Sequence, residues 1–508
     1  MLRRRDFVAT CGAAAFGTHG ARAATAAEKT LRIAVSDWVP GLGNPYASTM
    51  NGAVHPFAAM FDGLTILGDD GTVLPNLATS WEATSATRWE FKLRDGVTFA
   101  NGEAADAHAA VAMLNSLRQP DAQRYFLAAE TKGIADAAAP DAQTLIITTH
   151  APDPLLPKRL TLLMLVPPAY WAKVGPDAFA QTPVGSGPFQ LEGWGRDRGR
   201  YALTRNPASW RPSSTLERIE YLVLPEASSR VQALVTGQVD VAFSISFEGR
   251  EQLAASGYQT LIRTTPTVGA LAFRSNKPGS PLADARVRQA LNAGVDRAAI
   301  AKVILNDTVQ APAQGVLPGT FGYAPAGTAI AYDPQKARAL LASAGFGGGL
   351  KFVANVLGRS LVEGDAIFQK VAQDLLKIGV AVELRNITGA DWVKMWVTGD
   401  WRNADMLSMV WNSASLLDAS QAIEPFTCAK AGAFFCAPEI DTLVAESAVT
   451  LDAKRREQQL QNALAALSAQ APSLLLFPQI EMTAVSPRVK TPVYRGRYLD
   501  WTKIQLQG

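Results

Sequence analysis

Residues 88–102 read Arg88-Trp89-Glu90-Phe91-Lys92-Leu93-Arg94-Asp95-Gly96-Val97-Thr98-Phe99-Ala100-Asn101-Gly102. Trp89, Phe91 and Leu93 alternate with Arg88, Glu90, Lys92 and Arg94, which is the period-two pattern of a strand buried on one face. Asp95-Gly96 and Asn101-Gly102 then supply turns, and an alanine-rich helix is expected from about Asp106 to Leu117. Working outward, Leu31 to Val35 alternates in the same way. Phe189 to Leu191 and Tyr201 to Leu203 flank a polar, glycine-bearing connection and predict a hairpin, and Arg218 to Leu224 continues the sheet.

From about residue 281 the rhythm shifts to helices with clear boundaries. Asp284 is placed to cap a helix carrying Val287 and Leu291. Asp333-Pro334 pairs an N-cap with proline at the first helical position, and Gly345 falls where that helix should end. Ile367, Val371 and Leu375 define a further helix that runs to Gly379 and directly into a strand from Val380 to Leu384. A last helix, from about Asp452 to Ala469, packs Leu460, Leu464 and Leu467 and is expected to keep Lys454, Arg455 and Arg456 in solvent. Strands alternating with helices predict an α/β fold, and a length of 508 residues exceeds what one hydrophobic core usually organises.

The start of the chain reads as an address. Arg3, Arg4 and Arg5 precede a short apolar run from Phe7 to Gly17 and small residues around Ala23, so residues 1–23 are expected to be a signal peptide. Arg4-Arg5-Asp6-Phe7-Val8 resembles the twin-arginine export pattern, although Sec signals share the basic start. Cys11 lies too near the arginines to be a lipidation site. Removing this segment takes away Arg3, Arg4, Arg5, Arg22 and Asp6, the whole formal excess of +3. No basic run remains to suit nucleic acid or an anionic membrane. Cys428 and Cys436, an even and closely spaced pair in an exported chain, are expected to form a disulfide. His55, His108 and His150 are widely separated, which argues against a histidine-built metal site. Gly185-Ser186-Gly187 lacks the lysine and spacing of a phosphate loop and the frame of a nucleophile elbow, and reads as a turn.

Several segments in order resemble family 5 of the bacterial extracellular solute-binding proteins. They are Leu77-Ala78-Thr79-Ser80-Trp81 with residues 89–102, Val184-Gly185-Ser186-Gly187-Pro188-Phe189, Ala233-Leu234-Val235-Thr236-Gly237-Gln238-Val239-Asp240, Arg286-Val287-Arg288-Gln289-Ala290-Leu291 and Glu439-Ile440-Asp441-Thr442-Leu443. The resemblance covers nearly the whole chain after the leader. It implies a two-lobe periplasmic binding protein fold, with lobe one from 24 to 263 carrying an inserted subdomain at about 72–183. Lobe two would span 264–477, and residues 478–508 would return to lobe one. Two chain crossings, near Arg263 to Val268 and near Phe477 to Glu481, would form the hinge. The implied role is that of a periplasmic, monomeric receptor that needs no cofactor. It would capture a small polar solute, a short peptide or peptide-like compound ahead of an opine, oligosaccharide or metal chelate, and present it to an ABC transporter permease. A ligand sensor or periplasmic chaperone is the alternative, and the sequence offers no activated nucleophile to support an exported hydrolase.

Of the chain's 11 tryptophans, Trp392, Trp396, Trp401 and Trp411 fall between residues 392 and 411. Aromatic faces suit cleft walls as well as cores. Trp392, Trp396 and above all Trp411, at the end of the apolar run from Met406, are candidates for the cleft, with Asn412 beside it and Val268 on the first crossing. In dipeptide-binding members an acidic cluster after this tryptophan receives a peptide's ammonium group. Here the segment reads Trp411-Asn412-Ser413-Ala414-Ser415-Leu416-Leu417-Asp418, so only Asp418 is left, either to hold an ammonium group or to cap the helix that begins near Ser420. Arg359, in a glycine-flanked loop, is a candidate bidentate partner for a carboxylate.

Overall fold

The computed structural model describes residues 29–39, 41–47, 51–195, 199–212, 215–325, 330–490, 494–495 and 498–507, with the backbone alone at 51–54, 359, 495 and 498. The leader reading of residues 1–23 lies outside the described residues. In chain order the strands are β1 (Thr30–Val35), β2 (Thr65–Leu67), β3 (Val73–Pro75), β4 (Ala78–Ser85), β5 (Arg88–Leu93), β6 (Ile134–Ala138), β7 (Thr144–Thr149) and β8 (Phe189–Trp194). They continue with β9 (Arg200–Arg205), β10 (Arg218–Val223), β11 (Val241–Ala242), β12 (Gln259–Phe273), β13 (Leu350–Val356), β14 (Val380–Asn386), β15 (Met406–Asn412) and β16 (Ser473–Val485).

Ten of them form one sheet in the order β14-β13-β15-β12-β16-β11-β1-β10-β9-β8. The expected hairpin is β8 with β9, and β1 lies parallel between β10 and β11. A second sheet, β4-β5-β7-β6, carries the opening motif. Phe91 and Leu93 are buried there with Leu145 and Ile147, under the helix Ala107–Leu117 that Asp106 caps through the amide of Ala109. Gly185 and Gly187 do more than turn the chain. A Cβ on Gly185 would stand 2.0 Å from the carbonyl oxygen of Met60, and one on Gly187 2.4 Å from that of Ala59. Only glycine lets the backbone rest on the end of the helix Asn51–Met60.

The second half follows its capping chemistry. Asp284 caps Ala285–Ala293, Asp333 caps Pro334–Ser343, and Asp452 caps Ala453–Gln470, each accepting from a first-turn amide. The helix Gly364–Lys377 buries Ile367, Val371 and Leu375 and leads into β14 through Gly379 at φ 84°. One expectation fails in the last helix. Lys454 and Arg455 are exposed, but Arg456 is only 4% exposed, because it lies over a buried carboxylate contributed by Asp418.

The fold has two lobes joined by a paired ribbon. Gln259 to Thr264 of β12 pairs with Ile480 to Val485 of β16, beside β11. Thr267 to Phe273 pairs with β15 on one side and with Ser473 to Pro478 on the other. The register shifts between Thr264 and Val268 and again before Ala270. Pro266 and Pro478 lie at this irregularity, where a residue without an N–H is tolerated in an interior strand. One apolar cluster runs from Leu31 to Phe243, includes Leu416 and resumes at Val485 to Ile504, and another is confined to Val268 through Leu475. A third cluster, from Ala34 to Ala484, spans the crossing, and these two lie on either side of it.

Candidate functional site: the cleft at the strand crossing

Where the ribbon passes between the lobes, a cleft of about 440 Å³ opens. Leu67, Gly68 and Asp69 line it from the first lobe, Arg263, Thr264 and Pro266 from the crossing, and Leu317, Pro318, Gly319, Ala414 and Leu417 from the second lobe. Among the described residues, the charged ones that line it are an acid, Asp69, and a guanidinium, Arg263, which stacks 3.8 Å from the ring centroid of Tyr494. The walls approach closely. A Cβ on Gly71, which has φ 77°, would lie 3.0 Å from the carbonyl oxygen of Gly319 and 3.3 Å from Cβ of Leu417.

Local hydrogen bonding shapes the loop 412–418. Asn412, exposed at the end of β15, accepts from the amide of Ala414 at 3.0 Å, and Ser413 donates its hydroxyl to the carbonyl of Pro266 at 2.9 Å. Leu417 occupies the left-handed region at φ 47°, unusual for a branched side chain. It is held there because its amide donates to Ser413 at 2.7 Å and its carbonyl accepts from Phe321 at 3.0 Å. Leu416 points into the first lobe's apolar cluster.

Asp418 closes the loop. It caps the helix Ala419–Ile423 through the amide and hydroxyl of Ser420, and both its oxygens accept from Arg456, at 2.7 and 2.8 Å. Lys158, on the helix Leu156–Arg159 of the first lobe, stands 3.8 Å from the same carboxylate. Burial pushes the Asp418 carboxyl up, but Arg456 and then Lys158 outweigh it and hold it below the usual carboxylate range. Burial also lowers the Lys158 ammonium, and Asp418 offsets part of that. The capping reading of Asp418 therefore holds. An ammonium role for a ligand does not fit a carboxylate that is 0% exposed and already paired.

The other candidates are placed as follows. Trp411 is 3% exposed and belongs to the second lobe's interior, with its ring 4.2 Å from that of Phe426 and its indole N–H donated to Ser473 Oγ at 3.0 Å. It lines a separate cavity of about 560 Å³ inside that lobe rather than the cleft, a correction to its expected place on the cleft wall. Val268 is fully buried opposite Trp411 and is likewise core. Trp392 and Trp396 are half-buried and stack on each other at 5.3 Å. Trp392 is fixed by donation to the carbonyl of Ser408 at 2.6 Å, and Trp396 lies under the Lys430 ammonium at 4.5 Å. Neither is among the cleft's lining residues. Arg359 lies on the turn Gly358–Ser360, which Gln479 ties to the crossing by donating to the carbonyl of Ser360, and its side chain lies outside what is described. Cys428 and Cys436 are bonded, closing the loop against Gly399 and the helix Gly389–Thr398.

The same segments of chain are those a known family shares. The family model described as bacterial extracellular solute-binding proteins, family 5, middle region, matches residues 72–433, a span that holds all the described second-lobe residues of the cleft and the whole crossing strand β12. The chain belongs to that family. A glutathione-binding protein, GsiB of Pectobacterium atrosepticum, is 26% identical over 479 residues, which cover 91% of each chain. Among solved structures, the ABC transporter substrate-binding protein CtaP of Listeria monocytogenes superposes with a TM-score of 0.83 at 18% identity, covering 94% of this chain and 99% of that one. A dipeptide-binding protein of Pseudoalteromonas sp. SM9913, in complex with Met-Leu, does so with a TM-score of 0.78 at 20% identity, covering 94% and 100%. As a family 5 solute-binding protein, the chain shares their two-lobe fold.

Sequence reasoning missed Asp69, Arg263 and the segment from Leu317 to Gly319 as cleft walls. Their signal is weak because the wall is assembled from isolated residues on four separate segments, several of them apolar or glycine.

Proposed function

We propose that this solute-binding protein is the periplasmic receptor of an ABC transporter and that it captures a short peptide or peptide-like solute without chemical change. The observation that carries this reading is the cleft at the strand crossing, walled by both lobes and lined, among the described residues, by one acid and one guanidinium, Asp69 and Arg263. A zwitterion matches that pair, its ammonium group toward Asp69 and a carboxylate toward Arg263. Arg359 is proposed as a second carboxylate partner, by its charge and its position on the turn tied to the crossing. GsiB, by name a glutathione-binding protein, supports a peptide-like ligand carrying more than one carboxylate.

The proposed organisation is a signal peptide at 1–23 for twin-arginine export, lobe one at 24–263 with a subdomain at about 72–183, lobe two at 264–477, and a return at 478–508. The protein acts as a monomer, and its loaded form is what the permease recognises. Closure then depends on the solute binding the closed state better than the open one.

The test is a thermal-shift screen of residues 24–508 against dipeptides, tripeptides, glutathione, opines, oligosaccharides and metal chelates, since a ligand bound only to the folded state raises its stability. A peptide or glutathione hit recovered unchanged supports the reading. A hit confined to sugars or chelates, or one recovered chemically altered, overturns it.

A further inference from the structure

Lys158 crosses the lobe boundary. Its helix, Leu156–Arg159, is seated in the first lobe, where Leu156 and Pro157 are buried and Thr65 donates its hydroxyl to the carbonyl of Pro157 at 2.7 Å. The neighbouring Arg159 turns the other way, to Asp153 and Glu130. The Lys158 ammonium instead donates to the carbonyl of Leu417 at 3.1 Å, and it lies 5.4 Å from the centroid of Phe321, whose ring also lies 5.1 Å from the Arg456 guanidinium. The side chain is 12% exposed, so its contacts are made at the cost of most of its water.

Charge alone does not explain why it sits there. Asp418 is already gripped by Arg456 through two hydrogen bonds, and Lys158 stands at 3.8 Å, a distance for an ion pair without a good hydrogen bond. The directional contact is with Leu417. That residue lines the cleft, holds an unfavourable left-handed conformation, and now has its carbonyl engaged from both lobes, by Phe321 and by Lys158.

We propose that Lys158 is a positioning residue for ligand capture: by hydrogen-bonding Leu417 from the opposite lobe, it fixes the loop 412–418 as a cleft wall and retains the solute behind it. The inference rests on the reading that the cleft holds the solute. A bond across the lobe boundary stabilises the state in which the lobes are together, and a contact that is lost on opening slows the release of a bound solute. Separating the lobes returns the ammonium to water.

The experiment compares wild type, Lys158→Met and Lys158→Arg in two ways. Hydrogen exchange of peptides covering 412–421 reads the pinning without any ligand. Stopped-flow binding of glutathione reads retention. Lys158→Met should raise exchange in 412–421 several-fold with the rest of the chain unchanged, and should raise the glutathione dissociation rate about tenfold with little effect on the association rate. Lys158→Arg should restore both toward wild type. Unchanged exchange in the Met variant, exchange raised throughout the chain, or a dissociation rate equal to wild type each overturns the proposal. If wild type itself fails to bind glutathione, the peptide-like reading loses its support, and the exchange arm alone decides the role of Lys158.

Discussion

Arg456 grips Asp418 through both terminal nitrogens, Nη1 to Oδ2 at 2.7 Å and Nη2 to Oδ1 at 2.8 Å, while its Nε donates to the carbonyl of Ser447 at 3.0 Å. Each of the three guanidinium nitrogens donates inside the second lobe. Removing Arg456 strips the buried carboxylate of both its hydrogen-bonded charge contacts and leaves only Lys158 at 3.8 Å, so Arg456→Met should destabilise the protein by about 3 kcal/mol in urea unfolding. The double variant Arg456→Met with Asp418→Leu should recover part of that loss. A single variant as stable as wild type would show that water replaces the missing partner.

The same pair sets an acid limit. Asp418 titrates below the ordinary carboxylate range in the folded protein, so its contribution is complete above about pH 4 and is lost as pH falls through the lower folded value. Asp418→Asn should be less stable than wild type at neutral pH, and the gap should narrow steadily below that range. A gap independent of pH, read from thermal unfolding at stepped acidity, would contradict this linkage.

Trp411 fills the second lobe beside Phe426. Trp411→Ala is expected to cost about 3–5 kcal/mol of stability, the range for truncating a buried aromatic. Ligand affinity measured well below the unfolding midpoint should change less than about threefold, roughly 0.6 kcal/mol. A larger loss of affinity with unchanged stability would return this indole to the cleft.

The bridge between Cys428 and Cys436 spans 8 positions. Replacing both by serine should lower stability by an amount on the order of 2–3 kcal/mol through loop entropy. Thiol titration of the unfolded chain from residue 24 should find free thiols only after reduction.

Gly185→Ala places a Cβ against the carbonyl of Met60. Backbone cannot rotate away as a side chain can, so a loss of about 1–3 kcal/mol is expected, with a visible drop in Tm. A neutral substitution would mean that the helix end shifts to admit the added methyl group.

Much of the architecture was readable because its signals are local. Asp106, Asp284, Asp333 and Asp452 each cap the helix they precede, since an N-cap needs only a side-chain oxygen and the next few amides. The alternation from Arg88 to Leu93 survives as β5 because one face meets a core and the other does not. What escaped is non-local. Arg456 looked like its neighbours Lys454 and Arg455, and only a carboxylate 38 positions earlier in the chain distinguishes it. Trp411 looked like a strand-end aromatic, yet Phe426 and Ser473, distant in sequence, close over it. The cleft has no periodicity to detect, because β2, the crossing strand, the segment before Phe321 and the loop after β15 contribute a few atoms each.

Pro266 and Pro478 fall at the irregular stretch where β12 and β16 travel side by side between the halves. Neither can donate to the ladder, so the two-ply spine lacks rungs at its midpoint while remaining zipped above and below. A strip weakened along one line folds along that line. Bending there would let the halves swing as the covers of a book do, with sideways slippage resisted by the intact pairing on either side.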